Sequence, residues 1–526
     1  MKRHALLAFV AAASSVVKSL GAGLLAAALW SCAGPLQAAS IGLTGASAMA
    51  VSATIVPDAG DVGKPAHIWV GALFQDVLYM RSGKTWTRYS SGPLPVAISG
   101  QTLFASTLVS VVEQMDISAL AGLELYVGYG ASEQDMRSAP GKLAKVYTVS
   151  AATPPVAANV APIVVDAGPL GQAGGFNVPF VSVTICAPGS ASNCQTIDHI
   201  DVDTGSTGLR IMSSVVPASL ALPYERDAHG SPYGECVQFA DGSYVWGSVR
   251  LADIRIAGEQ ALSVPIQIVG DPAVPAVPRG CTGIPSNTVQ SFGANGILGV
   301  GYFREDCGTE CAQNAANGQY YACPSTGCTG TTLSRAQQVA QPVALFSNDN
   351  NGVVIQLPAI SAQGETAVSG ALVFGIGTQA NNGLGSAKVM TVDPYGYITT
   401  VYAGRSYIDS YIDSGSSVLF LPRGVGVPSC SRRDPVAPGF LCPAASLSLT
   451  AMNHGTNGTT DSVNFAVANA SAMLGDLQLT AFNNLAAPNS DAQSFDWGLP
   501  FFFGRSVFTA IENASTPGGT GPYVAY

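Results

Sequence analysis

The sequence predicts an all-β protein, and three observations support this fold class. Only 11% of the residues are charged, so helices with charged outer faces should be few. Glycine is abundant, at 59 residues, and Ser, Thr and Val are frequent, which is typical of strands joined by tight turns. One pattern, an apolar run followed by a turn and a second apolar run, also occurs twice, at residues 199–211 and 411–420.

Each copy of this pattern places an aspartate, Asp203 or Asp413, on a turn between two strands. Two carboxylates about 3 Å apart cannot both ionise easily, so one keeps its proton. The ionised member can then take a proton from water while the protonated member donates to a carbonyl oxygen. We therefore predict a catalytic carboxylate pair. Neighbouring glycine N–H groups and hydroxyls should orient it, and these residues are Thr204, Gly205, Ser206, Ser414, Gly415 and Ser416.

Other interpretations of these stretches fit less well. A calcium loop starting at Asp201 would need glycine where Ser206 stands and glutamate where Met212 stands. Asp409 belongs to a duplicated Tyr-Ile-Asp-Ser but is followed by Tyr411, so we predict an ordinary strand residue there. Because no histidine lies in a recognisable base motif, and phosphate-binding and dinucleotide motifs are lacking, we expect no cofactor.

The start of the chain resembles an export signal. Residues 1–38 carry basic residues, a short apolar core and a small-residue cleavage site. A lipoprotein box ending at Cys32 is the alternative. No later run is apolar for long enough to span a bilayer, and the net charge of −10 gives no reason to bind nucleic acid or anionic lipid. We expect a periplasmic or secreted protein.

The cysteines agree with an oxidising compartment. The chain has 11 cysteines, and removal of Cys32 with the signal leaves an even number. Two short disulfide loops are predicted, Cys186 with Cys194 and Cys430 with Cys442. A further cluster allows either disulfides of unknown pairing or a zinc site, and it comprises Cys307, Cys311, Cys323 and Cys328.

Residues 40–150 predict a separate β-sandwich of immunoglobulin-like type. Strand-like runs recur there between Gly, Ser and Pro turns. Two of these runs are 77–89 and 102–111. The sandwich could bind a surface partner, and a proline-containing linker, 151–162, follows it.

From about residue 163 onward the chain resembles the pepsin-like aspartic proteases. Residues 237–244 resemble that family's flap hairpin, residues 295–301 and 497–509 resemble the segments that cradle the two aspartate loops, and residues 370–375 resemble the strand that opens the C-terminal lobe. The resemblance implies a bilobal double β-barrel with lobes at about 163–340 and 341–526. It assigns flap roles to Phe239, Asp241, Gly242 and Ser243, and cradle roles to Ile297, Leu298, Gly299, Phe502, Phe503 and Gly504.

A closer resemblance is to an uncharacterised family of exported bacterial proteins with an acid-protease-like domain, through residues 350–358 and 374–379. Two positions depart from the pepsin-like pattern, because Phe239 replaces the flap tyrosine and Arg210 replaces a tryptophan. We expect Arg210, if it lies near the site, to favour ionisation of Asp203 and to shift the working pH upward. The resemblance implies hydrolysis of an extended peptide or protein substrate. The alternative is a binding module that retains the protease fold without catalysis.

Overall fold

The computed structural model describes residues 39–46, 50–74, 77–113, 117, 120, 122–149, 157–170 and 175–526. The predicted signal segment and residues 151–156 of the predicted linker lie outside these ranges. The chain divides into two compact units. The first comprises residues 1–156, 357–363 and 503–505, and the second comprises residues 157–356, 364–502 and 506–526.

The first unit is built from antiparallel strands. One sheet has the order β1-β2-β7, and the other has the order β5-β4-β3-β8-β9 with β6 paired to β3. The strands are β1 (Ser40–Ala46), β2 (Val51–Val56), β3 (Pro65–Phe74), β4 (Val77–Ser82), β5 (Thr85–Arg88), β6 (Ile98–Thr102), β7 (Thr107–Val112), β8 (Glu124–Gly130) and β9 (Leu143–Thr148).

Both sheets of this unit bury alternate residues in one apolar core. Val51 and Val109 come from one sheet, and Val70 and Val127 from the other. The orders β1-β2-β7 and β4-β3-β8-β9 match those of an immunoglobulin-like sandwich. The run predicted at 77–89 is two strands, because Gly83, at φ 56°, allows a two-residue hairpin turn between β4 and β5.

The predicted run at 102–111 is also divided, since its ends belong to β6 and β7 in different sheets. A hydrogen bond between the Phe104 amide and the Thr107 hydroxyl, 2.9 Å long, closes the turn between these strands. Hydrophobic pattern alone could not indicate that the chain changes sheets at this point.

The second unit begins with strands that carry the first aspartate loop. The strands are β10 (Val160–Val165), β11 (Pro179–Cys186), β12 (Cys194–Asp203), β13 (Thr207–Met212), β14 (Tyr233–Gln238), β15 (Ser243–Ile256), β16 (Glu259–Val269), β17 (Ile284–Pro285), β18 (Gly296–Val300), β19 (Tyr320–Ala322) and β20 (Thr329–Gly330).

The remaining strands carry the second aspartate loop. They are β21 (Gly352–Leu357), β22 (Val368–Phe374), β23 (Val389–Thr391), β24 (Ile398–Tyr402), β25 (Arg405–Ile412), β26 (Leu419–Leu421), β27 (Leu447–His454), β28 (Thr460–Val467), β29 (Ala486–Pro488), β30 (Asp496–Trp497), β31 (Arg505–Ala510), β32 (Ser515–Thr516), β33 (Gly519–Thr520) and β34 (Tyr523–Ala525).

A large sheet joins the two halves of this unit. It runs β20-β19-β14-β15-β16-β13-β18-β12-β11-β10-β22-β21-β31-β34-β23, and the β10–β22 pair links the halves. A second sheet of the C-terminal half has the order β28-β27-β24-β25-β30-β26-β29. The predicted all-β fold class is confirmed.

Helices are short in the part of the chain that the structure describes. The α-helices are α1 (Glu133–Ser138), α2 (Val289–Phe292), α3 (Thr309–Gln313) and α4 (Ala470–Met473). Single 3₁₀ turns occupy Ser213–Val215, Ala218–Leu220, Arg335–Gln337, Pro342–Leu345 and Leu499–Phe501. Over the same residues, no helix is long and apolar enough to cross a bilayer.

Five disulfides pair ten cysteines of the second unit. The predicted pairs Cys186–Cys194 and Cys430–Cys442 are confirmed. The four-cysteine cluster forms Cys307–Cys311 and Cys323–Cys328, so its sulfurs are not available as zinc ligands. The fifth pair, Cys236–Cys281, joins residues 45 positions apart.

A buried asparagine ties the start of the second unit to the region of the second aspartate loop. The Asn177 amide donates to the carbonyl oxygens of Ser417 and Phe482, at 2.8 and 2.9 Å, and its side-chain oxygen accepts from the Phe482 N–H at 2.7 Å. Asn177 has φ 53°, a left-handed conformation that asparagine tolerates better than most residues.

We predict that Asn177→Ala lowers the free energy of unfolding by about 3 kcal/mol, because three backbone groups, two of them buried, lose their partners. Asn513→Ala is the matched control. Asn513 has φ 58° but is exposed, and its side chain makes no hydrogen bond within the described residues. It should therefore lose only about 1 kcal/mol or less. Equal losses in denaturant unfolding would show that backbone conformation, rather than hydrogen bonding, makes Asn177 important.

Candidate active site

The two aspartate loops are built in the same way. Strand β12 ends at Asp203 and runs parallel to β18, which pairs on its other side with the returning strand β13. Strand β25 ends immediately before Asp413 and runs parallel to β30, which pairs antiparallel with the returning strand β26. Each aspartate thus lies at the end of one strand, and the chain then returns along the other side of a central strand, which is β18 in the first loop and β30 in the second.

Hydroxyl groups join the two loops reciprocally. The Thr204 N–H donates to Ser414 Oγ at 3.1 Å, and the Ser414 N–H donates to Thr204 Oγ1 at 2.9 Å. The same hydroxyls donate across the interface to the carbonyl oxygens of Ile412 and Val202, at 3.1 and 2.6 Å. These four bonds fix the distance between loops that are 210 residues apart in sequence.

Each carboxylate is also oriented within its own loop. Asp203 Oδ1 accepts from the Gly205 N–H at 2.7 Å, and Ser206 donates to Asp203 Oδ2. In the second loop, Asp413 Oδ1 accepts from the Gly415 N–H at 2.8 Å. Ser416 Oγ lies 2.9 Å from Asp413 Oδ2.

The two carboxyl groups face each other across the loop glycines. A Cβ added to Gly205 would lie 2.6 Å from Asp413 Cγ, and one added to Gly415 would lie 2.7 Å from Asp203 Oδ1. Only glycine leaves space for this approach. Burial, followed by the negative charges of Asp203 and Asp496, raises the pKa of Asp413 well above its usual range.

Two further carboxyl groups accompany the pair, and neither was predicted to belong to the site. Asp201 lies two residues before Asp203, on the same face of β12 and in the wall of the cleft. Asp496 lies in β30, with Oδ2 2.6 Å from Ser416 Oγ. Burial first, and then the charge of Asp203, raises the pKa of Asp201. Burial also raises the pKa of Asp496, and the hydrogen bond with Ser416 opposes this rise. Only the strand pairing brings Asp496 to the second loop.

The predicted flap residues form the tip of the β14–β15 hairpin. Gly242, at φ 84°, makes the turn, and Phe239, Asp241 and Ser243 line the cleft together with the aspartate pair. Phe239 packs against Phe292 with ring centroids 6.1 Å apart.

The hairpin is restrained by a neighbouring segment. Cys236 of β14 is disulfide-bonded to Cys281, and Gln238 Nε2 donates to the Thr282 carbonyl oxygen at 2.6 Å. Ser243 and Tyr244 of β15 pair with β17.

Arg210 lies in a buried network at one side of the cleft. Its guanidinium binds Glu235 Oε1 at 2.9 Å and Asp306 Oδ2 at 2.7 Å. Tyr320 donates to Asp306 Oδ1 at 2.6 Å. Burial, and then the charge of Glu235, raises the pKa of Asp306. The ion pairs of Arg210 are therefore made with these carboxylates, and neither is Asp203 or Asp413.

The cleft between the halves has a volume of about 990 Å³. The aspartate pair lies in its wall, Tyr395 and Tyr397 line one part, and Phe176 and Phe440 line another. Tyr395 is 77% exposed, so its ring is available to a ligand. The cleft therefore combines aromatic surface with a few polar groups, as ligand sites commonly do.

The predicted cradle residues are buried. Ile297, Leu298 and Gly299 lie in β18 directly beside β12 and β13. Phe502, Phe503 and Gly504 are also buried, but the strand beside the second loop is β30, followed directly by Gly498, so the structure does not place these three residues in the cradle of that loop. No group of His, Cys, Asp or Glu side chains suited to holding a metal occurs among the described residues.

A family profile described as "Protein of unknown function (DUF3443)" matches residues 155–526. No curated protein matches the sequence. Among solved structures, the chain is similar to the aspartic proteinase from Irpex lacteus, with 14% identity over 70% of this chain and 96% of that chain, and a TM-score of 0.39.

We predict that Gly205→Ala lowers the free energy of unfolding by about 1–3 kcal/mol, because the new methyl group would overlap the Asp413 carboxyl group and force the loops apart. Gly383→Ala is the control, since an added Cβ there meets no atom within 4 Å. Denaturant unfolding at acidic pH compares the variants. A loss no greater than that of the control would mean that the carboxyl groups do not lie in contact with these glycines.

We also predict that the free energy of unfolding falls as the pH rises from about 4 towards 7. Asp201, Asp413 and Asp496 have pKa values in the folded state above the unfolded value of about 4. In this window the folded chain therefore binds more protons than the unfolded chain, and each added pH unit favours unfolding. Melting temperatures measured across the window provide the test, and a maximum at neutral pH would contradict the prediction.

Proposed function

We propose that this chain, which belongs to the family described as protein of unknown function (DUF3443), hydrolyses peptide bonds with a water held between Asp203 and Asp413. The observation that carries the proposal is the face-to-face approach of two hydrogen-bonded carboxyl groups in a large cleft. Two carboxyl groups in such contact share a proton and can act together as acid and base.

The electrostatics of the pair assign the two roles. Because burial and neighbouring charges raise the pKa of Asp413, it holds the shared proton and is the general acid. Asp203 is the general base, and the Gly205 N–H and the Ser206 hydroxyl stabilise its charge.

In the first step, Asp203 takes a proton from the water, and the water oxygen bonds to the peptide carbonyl carbon. Asp413 gives its proton to the carbonyl oxygen, which yields a neutral tetrahedral diol. In the second step, the proton on Asp203 passes to the amide nitrogen and the C–N bond breaks. A diol hydroxyl returns its proton to Asp413 as the new carboxyl product forms, so the pair is restored.

The substrate lies extended in the cleft beneath the flap. The turn at Asp241 and Gly242 presents backbone and side-chain polar groups to such a chain, and extended peptides commonly bind along hairpin edges. The exposed ring of Tyr395 gives one end of the cleft an affinity for apolar or aromatic side chains.

Export is part of the proposal. Five disulfides suit an oxidising compartment, where such bonds form and persist. The signal-like composition of residues 1–38 agrees with this location. We infer a periplasmic or secreted protein.

The second candidate function is peptide or protein binding without cleavage. It is favoured by the restraint on the flap, because Cys236–Cys281 and the pairing of β15 with β17 hold the hairpin to its neighbours. Phe239 also has no hydroxyl to contribute to a hydrogen-bond network over the cleft.

The deciding experiment compares cleavage of an unstructured protein by the mature wild-type chain and by Asp413→Asn, from acid to neutral pH. We expect the variant to lose at least about 1,000-fold in kcat/KM, because the amide cannot act as the acid. A peptide analogue with a statine-type hydroxyl should inhibit the wild type by occupying the position of the attacking water.

Asp409→Asn is the matched control, because Asp409 occupies the first copy of the duplicated Tyr-Ile-Asp-Ser sequence. It should retain wild-type activity. If folded wild-type protein cleaves none of several substrates yet binds peptides, the binding function replaces the catalytic one.

A further inference from the structure

The hydroxyl of Ser416 lies between two carboxyl groups. Its Oγ is 2.9 Å from Asp413 Oδ2 and 2.6 Å from Asp496 Oδ2. Both distances are those of hydrogen bonds. Ser416 therefore connects a member of the aspartate pair to a carboxyl group that does not line the cleft.

The number of hydrogens restricts how this arrangement can be protonated. A serine hydroxyl carries one hydrogen and can donate to one carboxylate only. If Asp413 and Asp496 were both ionised, one of the two short contacts would place an oxygen lone pair against a negative oxygen. One of the two carboxyl groups must therefore carry a proton and donate it to Ser416.

A negative charge on Asp496 has little compensation in its surroundings beyond the hydroxyl of Ser416. Only 3% of Asp496 is exposed, and its Oδ1 has no hydrogen-bond partner among the described residues. The titratable groups that act on it are Asp203, Asp413 and Tyr411, none of which is a cation. The strand on its other side, β26, places Phe420 opposite Asp496.

The first aspartate loop lacks this arrangement. Asp201 pairs with Ile297 in the β12–β18 register, and Tyr411 pairs with Asp496 in the β25–β30 register. Ile297 therefore occupies, in the first half, the position that Asp496 occupies in the second. Ser206 accordingly binds Asp203 without a second carboxyl group at that position.

We propose that Asp413, Ser416 and Asp496 share one proton, and that Asp496 is a positioning residue that keeps the acid of the pair protonated towards neutral pH. This inference rests on the proposed hydrolysis, and it explains why the second aspartate rather than the first acts as the acid. The negative charge that develops on Asp496 as the pH rises opposes the ionisation of Asp413. Asp496 thereby sets the upper pH limit of activity.

The test compares the pH dependence of kcat and kcat/KM for the wild type, Asp496→Asn and Asp496→Ile. Isoleucine copies the residue found at the matching position of the first half, and an apolar side chain at a buried charged position is often neutral or stabilising for folding. We expect both variants to move the alkaline midpoint of activity to lower pH by about 0.5 unit or more, while KM changes little. Asp409→Asn should leave the midpoint unchanged.

A double-mutant cycle with Ser416→Ala distinguishes a shared proton from an effect through space. If Ser416 carries the proton between the carboxyl groups, Asp496→Asn should shift the midpoint less in the Ser416→Ala background than in the wild type. Equal shifts in both backgrounds would overturn the shared proton.

Melting temperatures between about pH 4 and 7 provide a readout that does not need activity. Replacement of Asp496 should flatten the decrease of stability with rising pH, whereas Asp409→Asn should not. If the wild type cleaves nothing but this flattening occurs, the proposed hydrolysis fails and the proton coupling stands. If the Asp496 variants match the wild type in both activity and stability profiles, the coupling itself is wrong.

Discussion

The reciprocal hydrogen bonds of Thr204 and Ser414 are the constraint on which the site depends. They hold two carboxyl groups closer than the groups would remain if both were charged. At about 4 Å, two like charges repel by about 4 kcal/mol at an effective dielectric constant of about 20. Four neutral hydrogen bonds at about 1 kcal/mol each are of the same size. The hydrogen bonds therefore outweigh the repulsion between the loops only when the pair carries no more than one negative charge, so one of the two carboxyl groups must be protonated.

The same requirement extends beyond the pair. Asp201 and Asp496 are buried nearby, and each has an oxygen without a hydrogen-bond partner among the described residues. On the other side of the cleft, Arg210 balances Glu235 and Asp306, so one cation serves two carboxyl groups. Protons must supply the remaining compensation, because isolated charges are costly to bury. The stability of the cleft and its proposed chemistry therefore both depend on carboxyl groups that retain protons.

The parts of the site that could be predicted are those encoded by short sequence patterns. An apolar run, an Asp-(Thr/Ser)-Gly-Ser turn and a second apolar run are local features, and they located the two loops and their hydroxyls. Cysteines separated by a few residues in a loop can meet without knowledge of the fold, which explains why Cys186–Cys194 and Cys430–Cys442 were predictable. The predicted strands of the first unit were also largely correct, except where a run contained a turn or changed sheets.

The features that escaped prediction depend on register between distant strands. Asp496 precedes an apolar segment and looks unremarkable in sequence, yet the β25–β30 pairing sets it beside the second loop. Arg210 occupies a position where its charge suggested an effect on Asp203, but Glu235 and Asp306, which come from other segments, bind it. The Cys236–Cys281 disulfide joins residues 45 positions apart and fixes the flap hairpin to a neighbouring segment.

For the proposed hydrolysis, a flap that is fixed in this way loses little conformational entropy when a substrate binds, so affinity depends on the fit of the preformed cleft. Selectivity would then come from its aromatic and acidic walls more than from closure over the substrate.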